Sequence, residues 1–245
     1  MGMSMENYNL FGLSVQCATD IDSAIDEFDR KFLSSRNSSF SAALNAEKLY
    51  LSQKDSSVYD LLNSAHFCYM DGIGAVWAAR RKYDQFFTRL PGVDLWLRLA
   101  KRASQRGLKI AVIGSNESVC SQAVKKLKAE HGIDVTYYRN GYFEDSELTS
   151  VAEGLKLHDV SFTVVAMGSP RQEIFSRYMI EMGVQSFFFG VGGSLDVFTG
   201  NVKRAPKLFR DCNLEWFYRL LKQPKRIVRQ MKLIPYFVLV IRREM

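Results

Sequence analysis

The stretch Phe162-Thr163-Val164-Val165-Ala166-Met167-Gly168-Ser169-Pro170-Arg171-Gln172-Glu173 decides the fold. Its first six residues form an apolar, β-branched run of the kind that fills a strand buried on both faces. Gly168 and Ser169 turn the chain, and Pro170 sits at the first-turn position where its missing N–H costs a helix nothing. A strand that runs directly into a helix is half of a βαβ unit.

Outward from this stretch the same alternation continues. Strands are expected at 9–15, 39–44, 66–70, 109–113, 134–138, 162–167 and 186–189, with helices at 22–33, 45–63, 73–82, 93–106, 117–131, 146–157 and 171–182. Such a pattern specifies an α/β fold around a largely parallel sheet with flanking helices. At 245 residues the chain fits one such core, assigned to residues 1–200, plus a basic helical C-terminal appendage over 201–245.

The charge marks that boundary. From residue 201 onward twelve Lys and Arg face three acids, a net +9, which against +7 for the whole chain leaves −2 for residues 1–200. The basic tail therefore calls for an anionic surface or group. Helices are expected at 207–222 and 225–242, interrupted by Pro224 and Pro235. The second interleaves Arg226, Arg229 and Lys232 with Ile227, Met231, Leu233 and Phe237, a composition suited to an amphipathic helix in a membrane interface. The same residues also suit a helix packed on its own domain or a homo-oligomer contact.

Several function classes are excluded. The longest apolar runs, such as 187–189 and 237–241, are far short of the roughly 20 residues that cross a bilayer. The N-terminal stretch has no secretory-signal pattern, so a cytoplasmic protein is expected, with the basic tail docking it on the inner face of the membrane. The four cysteines and three histidines are scattered without metal-ligand or disulfide spacing. Gly-x-Ser-x-Gly, Walker A and His-Glu-x-x-His strings are absent, as is any recognised nucleic-acid motif. Asp20-Ile21-Asp22 has the form of a metal-binding Asp-x-Asp, but it opens a helix where acids favour the dipole, and no metal or other cofactor is assigned.

Three loops fall just beyond the carboxyl ends of strands, where open α/β sheets bind ligands. In Tyr69-Met70-Asp71-Gly72-Ile73-Gly74, Asp71 is the candidate catalytic base, able to take the proton of an attacking sugar hydroxyl; a helix N-cap is the alternative role for the same acid. In Gly168 to Glu173, backbone amides and Arg171 at a helix start suit a diphosphate and Gln172 suits a sugar or base, although an ordinary capped helix reads the same way. The loop Gly190-Val191-Gly192-Gly193-Ser194-Leu195-Asp196 offers a further phosphate turn, without the dinucleotide fingerprint.

Together these strings resemble the WecG/TagA/CpsF family of glycosyltransferases. The likeness is carried by Asn45-Ala46-Glu47-Lys48, Asp71-Gly72, Arg89-Leu90-Pro91-Gly92-Val93-Asp94, the 168–173 and 190–196 loops, Arg204-Ala205-Pro206 and Leu214-Glu215-Trp216-Phe217-Tyr218-Arg219-Leu220. The nearest branch is the WecG one, which transfers N-acetylmannosaminuronic acid from its UDP form to undecaprenyl-diphosphate-linked N-acetylglucosamine for enterobacterial common antigen. The resemblance implies a Rossmann-like core and an inverting, metal-independent enzyme with Asp71 as base. It further implies substrate contacts from Asn45, Arg89, Asp94, Gly168, Arg171, Gln172, Gly190, Gly192, Gly193 and Asp196. Arg204, Arg219, Arg226 and Arg229 of the appendage are implied to serve the acceptor diphosphate or the membrane. A uronic acid donor needs a cationic partner for its carboxylate, for which Arg89 and Arg171 are the candidates. Relatives on the TagA side carry Thr where this chain has Ala43, so a hydroxyl contact is not carried over there.

Overall fold

A computed structural model describes residues 6–35, 37–222, 227 and 231–245, with the exception of the Arg219 side chain. Eight strands form one sheet in the order β1-β2-β4-β3-β8-β7-β5-β6. They are β1 (Glu6–Leu10), β2 (Leu13–Cys17), β3 (Ser39–Leu44), β4 (Phe67–Met70), β5 (Lys109–Gly114), β6 (Tyr137–Arg139), β7 (Val160–Ala166) and β8 (Phe187–Gly190). Only the β1–β2 pair is antiparallel. The expected largely parallel α/β sheet is present.

Period-2 alternation distributes the side chains. Phe67, Tyr69, Phe187 and Phe189 enter the hydrophobic cluster on one face, while Cys68 and Met70 join a second cluster and Phe188 a third on the other face. Helices α1 (Ile21–Phe28), α5 (Gly92–Gln105), α6 (Glu117–His131) and α9 (Ser194–Thr199) cover the first face. The other is covered by α2 (Ala46–Ser52), α3 (Ser56–Asn63), α4 (Ile73–Tyr83), α7 (Leu148–Leu157) and α8 (Arg171–Glu181). Parallel neighbours β3 and β8 thus send their following helices, α2 and α9, to opposite faces. That divergence opens a crevice at the carboxyl edge of the sheet.

The structure corrects several expected elements. The strand expected at 9–15 is the β1–β2 hairpin: Phe11 (φ 54°) and Gly12 (φ 83°) both adopt positive φ, as a two-residue hairpin turn requires. The helix expected at 45–63 divides because the Asp55 side chain accepts from Ser57 N at 2.9 Å and starts α3 anew. In α8, Pro170 is the residue before the helix rather than its first. Beyond residue 200 the single helix expected at 207–222 is two, α10 (Lys207–Asp211) and α11 (Glu215–Lys222), separated by Asn213 at φ 58°. Pro235 stands in the first turn of α12 (Ile234–Ile241), and the turn at 232–233 that parts this helix from the helical Met231 is the interruption expected there.

One face of α12 is packed on the core: Leu233, Tyr236 and Val240 join the cluster of β2, β4 and α4. Tyr236 Oη donates to Gly74 O at 3.0 Å, and Arg81 of α4 donates to the carbonyls of Val240 and Ile241 at 3.2 and 2.9 Å. This single guanidinium at two orphan helix-terminal carbonyls locks the end of α12 to the domain.

Candidate active site

The crevice is a cleft of about 1260 Å³, formed where the loops after β3, β4, β7 and β8 meet residues of α4, α11 and α12. Its floor follows from backbone pairing. Asp71 and Gly72 donate to Leu44 O at 3.0 and 3.1 Å, which lays the turn after β4 against the start of α2. A Cβ on Gly72 would stand 2.7 Å from Asn45 Cβ, so that close approach needs glycine.

Asp71 is half-buried and does not cap α4, whose N-cap Gly72 makes no side-chain cap. Its Oδ1 instead accepts from Gly92 N at the start of α5, at 3.0 Å, while no described residue donates to Oδ2. The carboxylate is therefore oriented by one oxygen and open at the other, the arrangement a general base needs. Arg89 Nε donates to Asp71 O at 2.7 Å, and Leu90 N donates to Met70 O at 2.9 Å, strapping residues 89–90 to the end of β4.

Arg89 also donates to Glu215, the first residue of α11, and Glu215 lies 3.7 Å from Arg204. Arg204 in turn holds both oxygens of Asp94 at 2.7 Å. Burial pushes the Asp94 carboxyl up, but the Arg204 hydrogen bonds and the charges of Arg204, Arg210 and Arg89 outweigh it and leave the group below the usual carboxylate range. This chain of charges joins the appendage to the Asp71 loop. Asp94 lines a smaller adjoining cavity of about 410 Å³ that shares Arg89, Arg204 and Glu215 with the main cleft.

On the opposite wall Gln172, 4% exposed, accepts from Gly192 N at 2.9 Å and donates to Glu173 at 3.1 Å. Lys48 Nζ reaches the same Glu173 oxygen at 2.7 Å. A Cβ on Gly190 would lie 2.4 Å from Gln172 Nε2, so this glycine admits the carboxamide. Gln172 thus spends its carbonyl on shaping the glycine loop. Val191, Gly192 and Ser194 commit their amides within the protein, whereas Gly193 N–H has no partner among the described residues.

Of the residues selected from sequence, Asp71, Asn45, Arg89, Gln172, Gly190, Gly192, Gly193, Asp196 and Arg204 line the cleft. Asn45 is also the N-cap of α2, accepting from Lys48 N at 2.9 Å. Gly168 and Arg171 are outside the lining; the exposed Arg171 guanidinium faces the ring and carbonyl of Phe143. Arg226, Arg229 and the Arg219 side chain lie outside the described residues. Asp20 caps α1 through Ser23 N at 2.8 Å, and Asp22 pairs with Arg98, which accounts for the Asp-x-Asp string.

Sequence reasoning did not select Lys48, Glu173, Glu215 or Tyr69, nor the aromatic wall of Trp77, Trp216 and Phe237. A signal for Glu215 was present: it is one of three acids among twelve cations in the tail. The sequence model of the glycosyl transferase WecG/TagA/CpsF family matches residues 8–245, nearly the whole chain. With its mostly parallel sheet and a strand-end cleft floored by Asp71, the chain belongs to this family of glycosyltransferases.

Proposed function

We propose that the cleft transfers a sugar, with inversion and without a metal, from a UDP-sugar to a polyprenyl-diphosphate-linked sugar at an anionic membrane surface. The donor and acceptor that fit the WecG resemblance are UDP-N-acetylmannosaminuronate and undecaprenyl-diphosphate-linked N-acetylglucosamine, in enterobacterial common antigen-like synthesis. The observation that carries this reading is the mixed lining of the cleft. Asp71 and the strand-end loops share it with the apolar side chains of Trp77, Trp216, Leu233 and Phe237, of which Trp77 and Phe237 meet at 5.8 Å. Its volume exceeds the roughly 300–1,000 Å³ of a single-ligand pocket, which favours two substrates side by side.

In this reading Asp71 Oδ2 takes the proton of the acceptor hydroxyl as its oxygen attacks the anomeric carbon. The bond to UDP breaks, and UDP departs with the electron pair. Six cationic side chains against four acidic ones line the cleft among the described residues, a surplus suited to a leaving diphosphate. Arg89 remains the candidate for a donor carboxylate, since it lines the cleft and Arg171 does not.

The appendage supports membrane docking. Trp216, Phe217, Leu221, Ile234, Phe237, Val238 and Ile241 remain exposed on α11 and α12, in a segment that also carries Lys207, Lys222, Lys232 and Arg242. No helix among the described residues is long and apolar enough to cross a membrane.

The test is transfer by purified protein to synthetic polyprenyl-diphosphate N-acetylglucosamine, comparing UDP-N-acetylmannosaminuronate, UDP-N-acetylmannosamine and UDP-glucose with and without EDTA. Transfer from the uronate that survives EDTA is expected. Transfer from another donor alone would move the pathway, and loss in EDTA would overturn the metal-free chemistry.

A further inference from the structure

Tyr69 holds a polar group that the fold leaves unanswered. The residue is fully buried in β4, its ring stacked on Phe189 at 5.6 Å and met edge-on by Phe28 at 6.0 Å. Its hydroxyl has no hydrogen-bond partner among the described residues. Leaving such a group unpaired costs about 1–3 kcal/mol, and phenylalanine would fill the same space without that cost. The fold as it stands gives no return on this hydroxyl.

Its position indicates one. Tyr69 and Asp71 are two residues apart, so both side chains leave the same face of the sheet edge. They converge on Gly92, whose amide binds the Asp71 carboxylate and whose Cα lies over the buried Tyr69 hydroxyl with no side chain between; a Cβ there would stand 3.1 Å from the Tyr69 oxygen. Tyr69 and Gly92 both line the cleft. Ala43, opposite Tyr69 in the β3–β4 register, offers no polar side chain.

We infer that Tyr69 is a donor-sugar binding residue, its hydroxyl donating a hydrogen bond to an oxygen substituent of the transferred sugar once the Gly92 turn yields. The sugar, rather than the nucleotide, is assigned because Tyr69 stands beside the carboxylate at which the sugar reacts; the inference therefore rests on the proposed role of Asp71. Burial, followed by the charges of Asp71 and Glu173, holds the phenol well above its ordinary pKa, so it stays a donor at working pH.

The test compares wild type with Tyr69→Phe by thermal melting and calorimetric titration, using UDP and the three UDP-sugars named above. Without ligand, the variant is expected to melt no lower than wild type, since no bond is lost. Binding of UDP is expected to be unchanged, while the best-bound UDP-sugar weakens about 3- to 10-fold, the worth of one neutral hydrogen bond. A lower melting temperature of the free variant would show an internal partner and overturn the inference. Equal UDP-sugar affinity, or an equal loss with UDP alone, would overturn it as well. If wild type binds neither UDP nor any UDP-sugar, the donor reading falls and takes this inference with it.

Discussion

Arg204 and Asp94, 110 residues apart in the chain, meet fork to fork, with Nη1–Oδ1 and Nη2–Oδ2 both at 2.7 Å. The pair fixes the start of the appendage against α5, whose first amide orients Asp71. Because the folded pKa of Asp94 is depressed, its contribution is present above the unfolded value of about 3.9 and lost as pH falls through the lower folded value. Asp94→Asn is expected to cost about 1 kcal/mol at neutral pH, a figure held down by solvent screening of a part-exposed pair. Urea titrations should show that difference constant from about pH 7 to 5 and closing below about pH 4. A difference that persists undiminished in acid would contradict the pairing.

Glu215 is the one acid of the appendage that reaches Arg89, which in turn holds the carbonyl of Asp71. Glu215→Gln is expected to loosen α11 and the Asp71 turn together, at a cost of about 3 kcal/mol for breaking a largely buried charge pair. Hydrogen exchange should quicken across 215–222 and 71–74 while β5 is unchanged. A uniform change through the sheet would mean that Glu215 serves only global stability.

The Lys48–Glu173 pair is more deeply placed, with side-chain exposures of 13% and 0%. Breaking it by Glu173→Gln should destabilise by about 3 kcal/mol, because Lys48 is left uncompensated. The double change Lys48→Met with Glu173→Leu should recover part of that loss. Thermal melts of the three proteins decide this; a double variant worse than the single one would contradict it.

Trp216→Glu combined with Leu221→Glu alters exposed positions of α11. Binding to vesicles containing anionic lipid is expected to fall at least tenfold, as apolar area is removed and negative charge added near the headgroups. Sedimentation with vesicles of graded anionic content measures it. Unaltered binding would place the docking surface elsewhere.

Much of the fold was legible because burial on both faces of a parallel sheet writes itself as short apolar runs such as Phe187-Phe188-Phe189. Its errors have local causes. Phe11-Gly12 lacks the polar signature of a hairpin turn, and the break before α3 depends on a single aspartate cap. The cleft loops were legible through their place at strand ends. What connects them was not: Gln172 reads as a contact for sugar or base until its partner Gly192, 20 residues on, is known. Tyr69 likewise reads as an ordinary strand aromatic, because an unpaired hydroxyl is visible only in three dimensions.

The most direct test of the account is sugar transfer by wild type and Asp71→Asn, measured side by side with UDP binding. An asparagine can still accept the Gly92 amide but cannot take a proton, so transfer is expected to fall by about 10²- to 10⁴-fold with UDP affinity essentially kept. Turnover equal to wild type would contradict the role of Asp71 as base and, with it, the placement of the chemistry at the end of β4.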